Sequence, residues 1–490
     1  MRYSPSEPRK NSRILSEPFW ASARLRYIND ILKYSRAGLA ALILSMLFLT
    51  SAAHAQFQLQ RLYTAPNGSP PMCLLQGNDG NFYGTLVSPL AHLSPSVGYV
   101  FKMTPAGTVT TLTSLFGLNP ELVQGDDGNF YGTAYQQPFG GATNGMIFGL
   151  TAAGQLTNVF QFDGTNGARP IGMRKGVDGS FYGIMGSTNL GHTFSLPSNH
   201  FTIFQYSINN GVTKLYSVTN GPEFTSIPVQ GADGYLYGAT LSGTSLISPP
   251  YGKVLRVSFY RVSTNGDFQI IYTRTNAPDA AGDLVFGPDD SLYGAFGPGK
   301  QAYPPNLTGG SIFRISTNGN YSNLFTFNST NGSDPQARLS FANDGYLYGT
   351  TFGGGISNRG TLFRMSVHGE FTSLIDFTGA NGAGPSAPLV QATDGNIYGG
   401  TENSMISGIG TIFRLVQPIE LRNFAMSNGT ATLTWNSFLN GIYRVDYKSA
   451  LSNLSWTPLI QRVTATDQTI TIFDNQATDP QRLYRVVLLP

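Results

Sequence analysis

The chain has 490 residues, of which 41% are hydrophobic and only 12% are charged, about half the charged fraction of a typical globular domain. The 58 glycines, together with many Thr, Asn, Phe and Tyr residues, favour an all-β protein rich in turns. The formal net charge is +3, but the first 55 residues hold 8 of the 30 basic and 3 of the 27 acidic residues, which leaves −2 for the rest. This balance gives no electrostatic basis for binding nucleic acid.

The N-terminal residues 1–55 are predicted to be a signal peptide with a long basic leader. Basic residues precede the apolar run "AGLAALILSMLFLTSA", which ends at the small-x-small cleavage pattern Ala53-His54-Ala55. The run is too short for a membrane span, so no span is expected after cleavage. We therefore expect export to the periplasm, the cell surface or the extracellular space. The alternative is an uncleaved N-terminal anchor.

One phrase, "QGDDGNFYGT" at Gln124–Thr133, occurs seven times in the chain with small changes. Its first Asp recurs at intervals of 48, 51, 55, 56, 55 and 50 residues, a period that indicates a propeller or a solenoid. The phrase Asp residues are Asp79, Asp127, Asp178, Asp233, Asp289, Asp344 and Asp394. The phrase Tyr residues, each followed by Gly, are Tyr83, Tyr131, Tyr182, Tyr237, Tyr293, Tyr348 and Tyr398.

Each unit contains four strand patterns, which predicts a propeller blade. The seventh unit ends after its third strand at Leu415, while a spare strand pattern, 57–63, precedes the first unit. The fold class predicted is therefore all-β: a seven-bladed β-propeller over residues 56–416, closed by the N-terminal strand. A small β-sandwich of immunoglobulin or fibronectin type III style is predicted over 417–490.

The phrase itself is predicted to be scaffold. Asp-Gly between two alternating strands is a hairpin signal, because Gly adopts positive φ without a Cβ penalty. A catalytic or metal-binding Asp would not require the Gly. Seven equivalent Tyr residues are expected to form a buried packing layer, and the alternative is a binding site repeated seven times. The single cysteine, Cys73, lies in an apolar strand and is expected to be a buried, inert thiol.

Binding residues are expected on the long, irregular loops that join second to third and fourth to first strands, because variable loops on a rigid scaffold carry function. The candidates are His192, His200, Tyr251, Tyr303, Arg169, Arg338 and Arg359. For each, ordinary solvated loop chemistry is the competing interpretation. No zinc, phosphate-loop, nucleophile-elbow or calcium-loop pattern occurs, so neither a metal nor a cofactor nor a catalytic residue is predicted.

The repeats resemble the Gloeobacter/Verrucomicrobia-type (GloVer) tandem repeat. The copy that is most similar is "DGYLYGTTFGGGISNRGTLFRMSVHGEFTSLIDF" at Asp344–Phe377, and the resemblance covers roughly residues 57–415. It implies a secreted or surface-anchored protein with a variable C-terminal part, and the C-terminal module looks like the fibronectin-like domains appended to such proteins. It implies no particular reaction.

The function predicted is a non-catalytic binding scaffold whose unknown partner is an extracellular glycan or protein, with the chain as a monomer. The alternative is a propeller lyase or hydrolase acting on a polysaccharide or cyclic peptide, because streptogramin-type lyases share a similar-looking repeat. That reaction would require His192, His200 and a loop carboxylate to converge. A third possibility is architectural surface-layer or matrix material, with the C-terminal module as spacer.

Overall fold

In a computed structural model of the chain, all the described residues lie within the unit Phe57–Pro490. The predicted signal segment lies outside the described residues. The structure describes residues 57–65, 69–87, 97–135, 144–186, 200–219, 221–244, 254–277, 280–297, 309–402, 410–417, 419, 421–437, 441–450, 452–453, 455–467, 469–477 and 482–489. In these ranges the chain forms strands and turns without any helix. Among them, nothing resembles a helix of the length and apolarity needed to cross a bilayer.

The first three repeats, numbered by their phrase Asp residues from Asp79 onward, each form one antiparallel four-stranded sheet with the strands in chain order. The first sheet contains β2 (Pro71–Gln76), β3 (Phe82–Val87), β4 (Val97–Met103) and β5 (Val109–Phe116). The second contains β6 (Leu118–Gln124), β7 (Phe130–Ala134), β8 (Met146–Leu150) and β9 (Leu156–Gln161). The third contains β10 (Ala168–Lys175), β11 (Phe181–Gly186), β12 (His200–Ser207) and β13 (Gly211–Thr219).

Repeats 4 to 6 follow the same order, except that the first strand of repeat 4 is split in two, both parts pairing with β16. Repeat 4 contains β14 (Glu223–Phe224), β15 (Val229–Gln230), β16 (Leu236–Thr244), β17 (Val254–Val262) and β18 (Phe268–Ala277). Repeat 5 contains β19 (Val285–Phe286), β20 (Ser291–Phe296), β21 (Ser311–Ser316) and β22 (Tyr321–Thr326). Repeat 6 contains β23 (Ser340–Phe341), β24 (Leu347–Thr351), β25 (Thr361–Met365) and β26 (Phe371–Asp376).

The sheet of repeat 7 takes its fourth strand from the other end of the chain. Its order is β1-β29-β28-β27, in which β1 pairs antiparallel with β29. These strands are β1 (Gln58–Thr64), β27 (Val390–Gln391), β28 (Ile397–Thr401) and β29 (Thr411–Val416). Phe57 and Leu59 pack on the core cluster formed by repeats 6 and 7. The N-terminal strand thus completes the four-stranded sheet of repeat 7.

The phrase forms a tight turn between the first and second strands of each repeat. The turn requires positive φ at the residue after Asp, which is +80° at Gly345. At Gly345 an added Cβ would meet no atom within 4 Å, so only the backbone conformation calls for glycine there. Repeat 5 has Asp290 at this position with φ +55°, in the left-handed region that Asp tolerates better than most residues.

The residue three positions before each phrase Asp contacts the turn of the preceding repeat. In four repeats this residue is Gln, whose Oε1 accepts a bond from the backbone N–H that precedes the neighbouring phrase Asp. These pairs are Gln124 with Asn78, Gln230 with Val177, Gln391 with Asn343, and Gln76 with Thr393, at 2.7–3.0 Å. Lys175 instead forms an ion pair with Asp126, and Phe286 and Phe341 pack edge-on against Tyr237 and Tyr293.

The C-terminal region forms two three-stranded antiparallel sheets, β30-β31-β34 and β33-β32-β35, that share one core cluster. Trp435 and Tyr443 are fully buried in this cluster, with their rings edge-to-face at 5.8 Å. Tyr484 packs against it and donates to Asp474 at 2.8 Å. The strands are β30 (Leu421–Ser427), β31 (Thr430–Asn436), β32 (Ile442–Lys448), β33 (Thr457–Thr464), β34 (Thr469–Asp474) and β35 (Leu483–Leu489).

Candidate functional site

The Asp and Tyr side chains of the phrase are hydrogen-bonded to each other in every repeat, as a scaffold role requires. In every repeat, Oδ2 of the phrase Asp accepts from the hydroxyl of the Tyr four residues later, at 2.6–3.2 Å. In every repeat, Oδ1 accepts from the backbone N–H two residues later, at 3.0–3.3 Å. The seven Tyr rings are between 0 and 4% exposed. The phrase therefore fixes its own hairpin through these bonds.

These bonds shift the ionisation of the groups that make them. Burial alone would raise the pKa of Asp79, but hydrogen bonds from Lys102, Asn81 and Tyr83 outweigh it and hold that pKa well below its usual range. The pKa of Asp127 is lowered in the same way: burial would raise it, but hydrogen bonds from Tyr131 and Asn129 outweigh burial. The phrase Tyr residues shift the other way: burial, helped by the neighbouring Asp, raises their pKa, to about 12 at Tyr293.

A separate group of polar side chains lies in or just before the first strands of five repeats. We call it the first-strand cluster. Its members are Cys73 in β2, Glu121 in β6, Arg174 in β10, Asp283 just before β19, and Arg338 just before β23. Two basic and two acidic groups meet there, so the cluster carries no net charge while Cys73 is protonated.

Arg174 links repeats that are not neighbours in the chain. This arginine of repeat 3 is 8% exposed, and its Nη2 forms an ion pair with Asp283 of repeat 5. Its Nη1 donates to the carbonyls of Ile227 in repeat 4, at 3.2 Å, and Leu284 in repeat 5, at 3.3 Å. Asp283 also accepts from the backbone N–H of Ile227 at 3.0 Å. Burial lowers the pKa of Arg174, against the opposing charges of Asp283 and Glu121.

The two other charged groups of the cluster lie close without touching. Oε1 of Glu121 is 4.0 Å from Nη1 of Arg338 and 3.8 Å from Nη2 of Arg174. Both distances are too long for a direct hydrogen bond. The side chain of Arg338 is 28% exposed and that of Glu121 13% exposed. Burial would lower the pKa of Arg338, but the charges of Glu121 and Asp283 outweigh it and raise that pKa.

Cys73 closes the cluster on the side of repeat 1. Its thiol is 5% exposed, and burial, reinforced by the negative charge of Glu121, raises its pKa to about 12. A thiol with so high a pKa is protonated at neutral pH and is a poor nucleophile. This agrees with the buried, inert thiol expected from the sequence.

The described candidates from the sequence are dispersed rather than gathered. His200 begins β12, and its exposed Nδ1 lies 2.7 Å from the hydroxyl of Thr219. The guanidinium of Arg169 lies over the ring of Tyr135 at 5.8 Å. Arg359 donates to the carbonyl of Thr378. Only Arg338 meets other charged groups, and it does so in the first-strand cluster rather than among the loops. His192, Tyr251 and Tyr303 lie outside the described residues.

Glu121, Arg174 and Asp283 were not predicted from the sequence, although a signal was present for Glu121 and Asp283. Cys73, Glu121, Asp283 and Arg338 all stand six positions before their phrase Asp, where the other repeats have Gly172, Ile227 and Pro388, whereas Arg174 stands four positions before Asp178. Aligning the seven units on the phrase shows three charged residues at that position but does not single out Arg174. Which of them meet could not be predicted, because that depends on how the sheets are arranged.

The cluster contains no donor set of the usual metal-binding kind. Within the described ranges, three or more His, Cys, Asp or Glu side chains nowhere come together as potential metal ligands. The chemistry of the cluster is that of arginine–carboxylate pairs with part of their hydrogen-bonding capacity unused.

The fold and the site define an all-β repeat protein made of small antiparallel sheets. The sequence model of the Gloeobacter/Verrucomicrobia repeat matches residues 44–248 and 225–434, and the chain belongs to this repeat family. The comparison with curated protein sequences finds no match.

Among solved structures, similarity is remote. A gluconolactonase from Xanthomonas campestris is 13% identical with a TM-score of 0.38, over 75% of this chain and 93% of the other. The periplasmic gluconolactonase of Pseudomonas aeruginosa is 14% identical with a TM-score of 0.38, over 70% and 98%. Pyrococcus horikoshii acylaminoacyl peptidase is 9% identical with a TM-score of 0.45, over 76% and 59%. Similarity at this level carries no information about activity.

Proposed function

We propose that this chain is an exported, non-catalytic binding scaffold whose ligand is an extracellular polysaccharide or protein. In this proposal, residues 56–416 form a seven-bladed β-propeller closed by β1. Residues 417–490 form a fibronectin- or immunoglobulin-like module. Residues 1–55 direct export, and the chain acts as a monomer.

Contacts between the two ends of the repeat region support a closed ring. Strand β1 lies beside β29, and Gln76 of repeat 1 accepts from Thr393 of repeat 7 in the same way that Gln124 accepts from Asn78. A ring in which every repeat contacts two neighbours leaves no open sheet end that would require a cap. Two three-stranded sheets around one core support the β-sandwich assignment of the C-terminal module.

The observation that carries a binding role is the Glu121–Arg338 pair. The phrase Asp and Tyr residues satisfy one another, whereas Oε1 of Glu121 and Nη1 of Arg338 lie 4.0 Å apart, beyond hydrogen-bond distance, and both side chains are partly accessible. Partly buried charged groups with unused hydrogen-bonding capacity, held by rigid strands, are typical of ligand sites. A binding role requires no nucleophile or general base, and the thiol in this cluster is inert.

The proposal is tested by screening the exported full-length protein against a glycan array and, by pull-down, against a panel of extracellular proteins. Saturable binding to a glycan or a protein, without turnover of the bound molecule, is the expected result. Failure to bind any member of either panel would overturn it, and so would cleavage of a bound glycan. A circular-dichroism melt run on the same sample shows that the screened protein is folded.

A further inference from the structure

Resting on the proposed binding function, we infer that the first-strand cluster binds an uncharged, hydroxyl-rich ligand, a neutral saccharide, through a hydroxyl that bridges Glu121 and Arg338.

The separations in the cluster fit one bridging oxygen. Oε1 of Glu121 lies 4.0 Å from Nη1 of Arg338 and 3.8 Å from Nη2 of Arg174. A single oxygen placed between two such atoms can lie at about 2.8 Å from each, an ordinary hydrogen-bond length. A hydroxyl suits this position because it donates to the carboxylate and accepts from the guanidinium at the same time. A carboxylate oxygen of a ligand can only accept.

The charge balance also favours an uncharged ligand. Arg174 and Asp283 neutralise each other by direct contact, and the remaining pair, Glu121 and Arg338, is also neutral as a pair. An anionic ligand that approached Arg338 would face the carboxylate of Glu121 about one oxygen diameter away, and like charges at such distances repel strongly in a partly buried site. A neutral hydroxyl meets no such penalty.

The cluster retains further unused hydrogen-bonding capacity beside this pair. Nε of Arg174 is buried and has no hydrogen-bond partner among the described residues. Arg174 itself is fixed by two carbonyls and Asp283, so its orientation does not depend on the ligand. The bridging position therefore lies on a rigid support, and the ordering cost on binding falls mainly on Arg338 and the ligand.

The test titrates the full-length protein with neutral oligosaccharides of glucose and mannose, with oligogalacturonate, and with glycerol as a small hydroxylated control. Isothermal calorimetry compares the wild type with Arg338→Gln and Glu121→Gln. Arg261→Gln, at an arginine of β17 that bonds to Gln269 outside the cluster, is the matched control. Binding of a neutral oligosaccharide that weakens at least about tenfold in both cluster variants and is unchanged in Arg261→Gln is the expected result. A melting temperature for each variant separates loss of the site from loss of the fold.

The possible results are distinct. Preference of the wild type for oligogalacturonate, or neutral-sugar binding that survives both substitutions, overturns this inference and leaves the scaffold function intact. Binding only to proteins has the same consequence. Binding to glycerol alone at high concentration shows a site for any small hydroxyl compound, and it too overturns the saccharide assignment. The proposed function is removed by the absence of both glycan and protein binding, or by cleavage of a bound glycan.

Discussion

The backbone N–H of Thr393 donates to Oε1 of Gln76 at 2.8 Å, although 317 positions separate the two residues. The same bond joins neighbouring repeats 1 and 2 through Asn78 and Gln124. The same contact, from a side chain to the turn of the preceding repeat, thus occurs both within the repeat region and between its two ends. Because this contact joins the two ends, strands β1 and β29 near those ends should also be held side by side.

A disulfide between β1 and β29 tests the pairing of the chain ends. Gln60 and Arg414 are directly opposed in that pair, at the Cα separations of antiparallel strands that a disulfide can span. In a Cys73→Ala background, Gln60→Cys with Arg414→Cys is expected to cross-link on mild oxidation and to stabilise the fold by about 2–4 kcal/mol. Non-reducing electrophoresis and thermal melts measure both effects. Gln60→Cys with Gln205→Cys, the equivalent position of repeat 3, should stay unlinked, and equal cross-linking of both pairs would disprove the pairing.

Two tyrosine-to-phenylalanine changes in repeat 4 should differ in their effect on stability. Tyr237 donates to Asp233 at 2.7 Å, so Tyr237→Phe is expected to destabilise the protein by about 1 kcal/mol. The hydroxyl of Tyr260 is buried without a partner among the described residues, where all other repeats have Phe. Removing an unsatisfied buried hydroxyl is expected to be neutral or to stabilise by up to about 1 kcal/mol. Urea denaturation measures both, and a clear loss of stability in Tyr260→Phe would show that this hydroxyl is satisfied.

The glycine of the phrase should matter through its backbone alone. Gly345 has φ +80° with open space around its missing Cβ, so Gly345→Ala is expected to cost about 1 kcal/mol. The reverse change, Asp290→Gly, relieves the same conformation and is expected to stabilise by less, up to about 0.5 kcal/mol, because Gly also increases the entropy of the unfolded chain. Chemical denaturation of both variants is the measurement. A neutral Gly345→Ala would mean that the turn relaxes.

Arg174 should be required for stability because of the charges that it neutralises. Arg174→Met would leave Asp283 and Glu121 without their buried partner, which is expected to cost about 3–5 kcal/mol. Adding Asp283→Asn removes one of the two charges and should recover part of that loss. Thermal and urea unfolding of the single and double variants measure the coupling. If the single variant Arg174→Met and the double variant have equal stability, the charge of Asp283 does not require neutralisation by Arg174.

The protein should lose stability as the pH falls below about 4. The pKa values of Asp79 and Asp127 are lowered in the fold, so both carboxylates contribute stability above their unfolded pKa, which is about 3.9. That contribution is lost as the pH falls through the lower, folded values. Urea midpoints between pH 6 and pH 2 should show the decline, and Asp79→Asn should make it shallower. If the stability of Asp79→Asn declines with falling pH as steeply as that of the wild type, Asp79 does not contribute to the acid sensitivity.

Much of the repeat architecture could be predicted from the sequence because it depends on local chemistry. The Asp-Gly turn, the buried Tyr and the strand that completes the last sheet follow from spacing, turn chemistry and an uneven count of strands. The first-strand cluster could not be predicted in the same way, because Arg174 and Asp283 lie 109 residues apart and meet only through the arrangement of the sheets. The loop candidates rest on a general tendency of loops to carry function. Of those that the structure describes, Arg338 alone is close to other charged groups.

Arg174 has a consequence for how such a protein can change by gain or loss of repeats. Contacts of the Gln76 type join only adjacent repeats, so duplication of one unit would preserve them all. Arg174 bonds to a carbonyl of repeat 4 and to both a carbonyl and a carboxylate of repeat 5. A unit inserted between repeats 3 and 5 would separate these partners and leave a buried guanidinium without them. The number of units between Arg174 and Asp283 is therefore restricted by electrostatics, while the repeats outside that interval are not restricted in this way.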